Sequence, residues 1–374
     1  MRNWSIPAGR VFGVELRIHL TFLLLLIFVW MTESAALGPA GAWRGLALVG
    51  IIFGSVLLHE LGHALVATHA GVPARSIILL PIGGVTLLDE SREPARVGSA
   101  LAWQRDIYIA LAGPMVNLLV AFIAGSVVLS VAPEIGLWSR PFVHVNNLLR
   151  SFVWSNLYLA GFNLLPAYPM DGGRILRALF SRRMDAVRAT RRAVTIGQGF
   201  AILFMFVGMV WNIWLVLIGF FLFVGAQLEE RSVVFHSVLE KVHMEDVMLT
   251  DFATLSPADT LEDALQKAVH SLQDDFPVVR GSDMVGTISK DKILQVLRVH
   301  GNGYVQAAMN QAYEVAQKSE TLASAFRKIS KRGMTLLPVV EDQRLVGIVT
   351  LQNLTHSMAL LAETRRLRRE AMRG

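Results

Sequence analysis

Six apolar runs, at 18–36, 44–68, 106–131, 148–166, 193–210 and 213–229, crowd the first part of this 374-residue chain. Each is close to the ~20 apolar residues that cross a hydrocarbon core of about 30 Å. The fourth is interrupted by Arg150, Asn156 and Asn163, and polar residues within a span usually face a protein interior or a site. Only 17% of the chain is charged and 53% is hydrophobic, against about 25% charged in a soluble domain. From Glu229 onward the sequence reads as ordinary water-soluble protein. The expected architecture is a polytopic α-helical membrane domain of about six spans, followed by a soluble appendage.

The first run is followed by Ser34-Ala35-Ala36, which resembles a signal-peptide cleavage site, but more runs follow and an uncleaved span is expected. Basic residues then set the orientation. Arg174, Arg177, Arg182, Arg183, Arg188, Arg191 and Arg192 lie between runs four and five, and Arg2, Arg10 and Arg17 precede run one. Loop 32–43 has no basic residue and loop 132–142 has only Arg140. The positive-inside rule places the N-terminus and everything after residue 230 in the cytoplasm of a multi-pass cell-membrane protein. Trp30, Trp43, Trp138, Trp211 and Trp214 then gather at the outer interface, where indoles prefer to sit. The net charge of +6 is therefore assigned to topology; the bilayer is the expected partner and nucleic acid is not. Without cysteine, disulfides, thiolate nucleophiles and cysteine metal sites are excluded.

Within the second run stands His59-Glu60-Leu61-Gly62-His63. Residues four apart share a helix face, so both imidazoles can reach one metal ion, and Glu60 lies to the side, placed to take a proton from an activated water. Burying these three groups in an apolar helix costs several kcal/mol unless they face a partner or cavity. A catalytic zinc takes three protein ligands and keeps one position open. At 1.5 Å per residue His59 lies roughly 24 Å below Trp43, in the cytoplasmic third of the bilayer. The fourth run ends at that depth in Asn163-Leu164-Leu165-Pro166-Ala167-Tyr168-Pro169-Met170-Asp171-Gly172-Gly173. Asp171 is either a cap on the following helix or the third ligand, and the matched depth favours the ligand.

These residues, with Gly113-Pro114-Met115-Val116-Asn117, resemble the site-2 protease family of intramembrane zinc metalloproteases, of the peptidase M50 type, across roughly residues 5–225. The resemblance implies zinc as the metal, His59, His63 and Asp171 as its ligands, and Glu60 as the catalytic acid–base. It further implies that Asn117 stabilises the oxyanion and that Asn163 contacts the unwound backbone of a single-span membrane protein substrate. On the residues alone, each asparagine could instead pin two spans together by a hydrogen bond. Segment 76–88 has β-formers around Pro81, Gly83 and Gly84. A surface loop is one reading; the family pattern favours a membrane-associated hairpin beside the metal, whose edge and glycines receive an extended substrate. Residues 4–15 are expected as a further strand pair, turning at Gly9 and Gly13. Loop 69–105 is too short for the PDZ domain that some relatives carry between spans.

The soluble part contains a duplication. Val247-Met248, Phe276-Pro277-Val278-Val279 and Val285-Gly286-Thr287-Ile288-Ser289 recur as Ala308-Met309, Leu337-Pro338-Val339-Val340 and Val346-Gly347-Ile348-Val349-Thr350. This resembles an α/β tandem CBS domain, which implies homodimerisation or an adenine nucleotide held near Ser289, Thr350 and Asn353. Lys292 stands where the first copy would carry the ribose-binding acid, so that half-site departs from the pattern. The expected boundaries are 1–232 for the protease domain, 233–245 for a linker, 246–301 and 306–361 for the copies, and 362–374 for a basic tail. Two other readings stay open: a CBS-gated metal or ion transporter, which has no need of Glu60 beside metal-spaced histidines, and a non-catalytic membrane scaffold, which has no need to keep all four site residues.

Overall fold

The structure is a computed structural model that describes residues 4–81, 83–88, 102–271, 273–281, 283–332, 336–341 and 344–350. Asn353 and the basic tail lie outside these residues. The chain forms two compact units that meet at Val233–Val234.

The first unit opens with a hairpin of β1 (Ser5–Val11) and β2 (Val14–His19). Phe12 and Gly13 both have positive φ, as a tight two-residue hairpin turn requires. Gly13 is thus a turn residue as expected, but Gly9 is not: it marks a bulge, where the β1 register shifts between Pro7 and Gly9. After α1 (Leu20–His69) come β3 (Ala74–Leu80) and β4 (Gly83–Leu88), which pair antiparallel. β3 also pairs in parallel with β2, so the four strands form one sheet in the order β1-β2-β3-β4. Ile77 and Leu79 of β3 pack with Val56, Leu61 and Ala64 of α1, which clamps the sheet to that helix.

The first two apolar runs both lie in α1, which bends at Gly38, a residue with φ 72°. Pro39 follows, suited to the first turn of a helix because its missing N–H has no partner there anyway. Phe22 meets Phe53 edge-on at 4.6 Å and Trp30 meets Trp43 at 5.0 Å, so the two arms run back along each other. Then follow α2 (Ala102–Val131), α3 (Leu148–Asn163), α4 (Asp171–Ser181), α5 (Ala186–Trp211) and α6 (Ile213–Lys241). Among the described residues four helices, α1, α2, α5 and α6, are long and apolar enough to cross a membrane. The fourth expected run is shorter than expected: α3 has 16 residues, about 24 Å of helix. It stops at Asn163 because Leu165 and Pro166 enter a loop that folds onto the start of α4; a side chain on Gly172 would collide with the carbonyls of Leu164 and Leu165.

The second unit holds the two repeats. The first copy comprises α7 (Leu261–Val269), β5 (Asp275–Arg280), β6 (Asp283–Ser289) and α8 (Lys290–His300), followed by the short α9 (Val305–Ala308). The second comprises β7 (Ala316–Gln317), α10 (Leu322–Arg332), β8 (Leu336–Glu341) and β9 (Arg344–Thr350). Their hairpins carry the same register shift, at Val278/Val279 and at Val339/Val340. The cores, however, do not follow the repeat boundaries. Leu249 bridges Ile348 of the second copy, and Asn310 bridges Thr287 of the first. Met248 presses its sulfur on Gly347, as Met309 does on Gly286. Residues 233–245, expected as a linker, continue α6 to Lys241, and Leu239, Val242 and Met244 join the core of the second copy.

Candidate metal centre and active site

α1 has two working faces, separated by the ~100° per residue of an α-helix. Ser55, His59 and His63 turn toward α2 and α3, whereas Leu57, Glu60, Leu61 and Ala64 turn toward the sheet. On the first face, one nitrogen or oxygen from each of His59, His63 and Asp171 lies within 4.8 Å of the others, and all three residues are buried. His59 Nε2 and His63 Nε2 stand 3.1 and 3.0 Å from Asp171 Oδ2 and 3.1 Å from each other. The α4 start delivers Asp171 here: the N-cap is Met170, without a side-chain cap bond, so the Asp171 carboxylate is spent on the histidines instead of on its own helix.

The donor set fits a metal ion. His59 Nδ1 stands 2.9 Å from Asn117 Oδ1 and His63 Nδ1 2.6 Å from the Ile109 carbonyl. Both partners are acceptors, so each ring donates from Nδ1 and carries a lone pair at Nε2. Two lone pairs and a carboxylate oxygen at this spacing repel unless they share a cation. Zinc bonds of about 2.0–2.1 Å arranged tetrahedrally put ligand atoms about 3.3 Å apart, close to the observed spacing. Space is kept as well. A Cβ at Gly113 of α2 would overlap His63 Nε2 and lie 2.7 Å from His59 Nε2.

Behind His59 runs a hydrogen-bond chain through three helices. Asn117 Nδ2 donates to Asn156 Oδ1 at 2.8 Å and to the Ser55 carbonyl at 3.4 Å. Asn156 Nδ2 in turn donates to Ser55 Oγ at 2.9 Å. Ser55, Asn117 and Asn156 are each fully buried. Both Asn117 amide hydrogens are taken up by these partners, while its Oδ1 faces His59. Sequence reasoning noticed Asn156 only as an interruption of an apolar run and missed Ser55, whose hydroxyl carries no helical signal of its own.

Glu60 lies on the other face of α1, beneath the β3–β4 hairpin. Its Oε2 accepts a hydrogen bond from Thr86 Oγ1 at 2.5 Å, and an added Cβ at Gly84 would stand 3.0 Å from Oε1. Gly83 begins β4 with φ 140° and pairs with Leu80. Asn163, at the end of α3, donates from Nδ2 to the Leu159 carbonyl at 2.9 Å. In the second unit, Ser289 caps α8 by accepting from Lys292 N at 3.2 Å, and Thr350 pairs with Leu336 at the end of β9.

Apolar helices enclosing a buried cluster of two histidines and a carboxylate that could hold a metal ion, with a glutamate next to one histidine, suit a membrane metalloprotease. Comparison with known proteins agrees: the Peptidase family M50 pattern matches residues 47–206, and the CBS domain pattern matches 244–299 and 305–360. The chain is 30% identical over 362 residues to the Zinc metalloprotease MJ0392 of Methanocaldococcus jannaschii, covering 96% of this chain and 97% of that protein. It is 29% identical over 377 residues to the Putative zinc metalloprotease Rip3 of Mycobacterium tuberculosis, covering 92% and 91%. Among solved structures, the Site-2 Protease from Methanocaldococcus jannaschii shares 32% identity, covers 61% of this chain and 95% of that one, and superposes with a TM-score of 0.42. The chain belongs to peptidase family M50, the site-2 type of intramembrane zinc metalloprotease, and carries a tandem CBS pair.

Proposed function

We propose that His59, His63 and Asp171 hold the catalytic zinc and that Glu60 is the general base and acid for hydrolysis of a peptide bond in a single-span membrane protein. The observation that carries this reading is the convergence of His59 Nε2, His63 Nε2 and Asp171 Oδ2 with both outer imidazole nitrogens already satisfied. When bound, the ion supplies an electrophilic centre for water and for the scissile carbonyl. Glu60 takes one proton from the attacking water as its oxygen bonds to the carbonyl carbon. It then gives that proton to the amide nitrogen as the C–N bond breaks. Asn117 acts as a positioning residue: its Oδ1 fixes the His59 tautomer so that Nε2 faces the ion.

A substrate helix hides its carbonyls in its own hydrogen bonds and must be unwound before attack. Among the described residues β4 is the last strand of its sheet, so its outer edge offers backbone groups to an extended chain. Gly83 and Gly84 receive the substrate there, and Asn163 contacts it from the end of α3. The basic segment 174–192 supports a cytoplasmic placement of the site, the N-terminus and the CBS pair. The CBS pair serves as a regulatory module that takes an adenine nucleotide near Ser289, Thr350 and Asn353, or joins two chains. Calorimetry of the whole protein against ATP, ADP and AMP decides between these roles, because absence of heat with all three leaves dimerisation.

The test of the catalytic reading is membrane proteomics of cells that carry Glu60→Gln in place of the wild-type chain. Single-span proteins accumulate in the variant; identical membrane proteomes would remove Glu60 from catalysis.

A further inference from the structure

The β3–β4 hairpin does more than border the site. Across the ladder, Ile77 pairs with Thr86 and Leu79 pairs with Gly84. Cross-strand partners share a face of the sheet, and Ile77 and Leu79 are packed against α1. Thr86 and Gly84 therefore face α1 as well, while Val85 and Leu87 of the same strand are exposed on the opposite face. What they meet there is Glu60. Thr86 Oγ1 donates to Glu60 Oε2 at 2.5 Å, and an added Cβ at Gly84 would lie 2.5 Å from Glu60 Cγ and 3.0 Å from Oε1.

We infer that Thr86 and Gly84 are positioning residues for Glu60, which the docking strand β4 holds in the orientation that proton transfer needs. The inference rests on the reading of Glu60 as the general base. A glutamate side chain has three rotatable bonds, and nothing on its own helix fixes the last of them. The Thr86 hydroxyl occupies one carboxylate oxygen, which leaves Oε1 as the proton acceptor. Gly84 gives the carboxylate room that any larger residue would take. Since the substrate pairs with the outer edge of this same strand, docking and base orientation are carried by one element. A substrate that pulls β4 out of register also disturbs Glu60, so a wrongly docked chain is cleaved slowly even where it binds.

The experiment uses the full-length purified protein and, as probe, the tagged single-span protein that accumulates most in Glu60→Gln membranes. Thr86→Val keeps the shape of the side chain and removes the hydroxyl; Thr86→Ser keeps the hydroxyl. With zinc content at the wild-type level in each, Thr86→Val lowers kcat by about ten- to a hundredfold with KM within about twofold, and Thr86→Ser restores most of kcat. Gly84→Ala also lowers kcat, without the twofold limit on KM because Gly84 also receives the substrate. An unchanged kcat in Thr86→Val, a rise in KM alone, or loss of zinc with the hydroxyl would each overturn the assignment. The first outcome makes the contact incidental, the second makes Thr86 a substrate contact, and the third makes it structural. Glu60→Gln in the same assay separates the two claims: activity there sinks the general-base reading, whereas inactivity there with full activity in Thr86→Val sinks only this one.

Discussion

Asn117 holds His59 from the side opposite Asp171: its Oδ1 lies 2.9 Å from His59 Nδ1, while His59 Nε2 lies 3.1 Å from Asp171 Oδ2. The imidazole is thus gripped at both nitrogens, one by α2 and one by the start of α4. Asn117 is itself anchored by Asn156 on α3 and by the Ser55 carbonyl on α1. A buried histidine on one helix is oriented by an amide on a second and steadied by a third. Such support is usual where a histidine must present one nitrogen and no other.

Breaking this chain at its far end should be felt at the metal. Asn156→Leu removes the acceptor of the 2.8 Å bond from Asn117 Nδ2 and leaves a buried donor unpaired, at a cost of about 1–3 kcal/mol. Zinc affinity, measured by competition with a chelating indicator, falls about 10- to 100-fold. Wild-type affinity in this variant would show that the chain has no bearing on His59.

Removing the Asp171 carboxylate should have a larger effect. Asp171→Ala deletes the atom that stands 3.1 and 3.0 Å from the two histidines, and elemental analysis of the purified protein finds little zinc. Equal zinc in wild type and Asp171→Ala would make the carboxylate a helix-start residue with no part in the metal site.

Gly113→Ala tests the space between α1 and α2. The added Cβ lies 2.7 Å from His59 Nε2, on the side where the two rings and Asp171 converge. The variant loses zinc and proteolysis while its helices persist by circular dichroism. Full zinc content at Gly113→Ala would mean that the helices separate at little cost.

Acid should loosen the second CBS copy. Burial raises the Glu320 carboxyl, but the bonds from Lys328, Ser324 and the Gln317 amide more than offset it and hold the group below its ordinary 4.5. A value depressed in the folded state stabilises fully above the unfolded value and is lost as pH falls through the folded one. The protection factors of the α10 amides, corrected for the intrinsic exchange rate at each pH, therefore fall as pH drops from neutral to below 4.5, and Glu320→Gln reduces that acid dependence. The same fall in both proteins would assign it to other groups.

Much of the first unit was legible because its signals are local. Apolar runs gave the helices, four-residue spacing paired His59 with His63, and matched depth brought Asp171 to them. The β-formers around Pro81, Gly83 and Gly84 left a surface loop open, and the family pattern pointed to the hairpin that β3 and β4 form. What escaped depends on contacts distant in sequence. The parallel pairing of β2 with β3 joins segments separated by the whole of α1, and no periodicity reports it. Gly9 read as a turn because a glycine in a bulge and a glycine in a turn look alike in one dimension. The contacts of Asn117 escaped for a related reason: they depend on Asn156 and Ser55, which are distant in sequence.

The crossing of Met248 and Met309 between the CBS copies bears on how such a pair can be divided or inherited. Met248 opens the first copy but packs on Gly347 of the second, and Met309 opens the second but packs on Gly286 of the first. A cut at the repeat boundary strips the first copy of the Asn310 bridge to Thr287 and of the Met309 packing on Gly286, and leaves residues 247–249 without the Gly347 and Ile348 partners they meet. The interlocked pair, together with the last turn of α6, is then the smallest piece that can be grafted onto another protein and still close both of its cores.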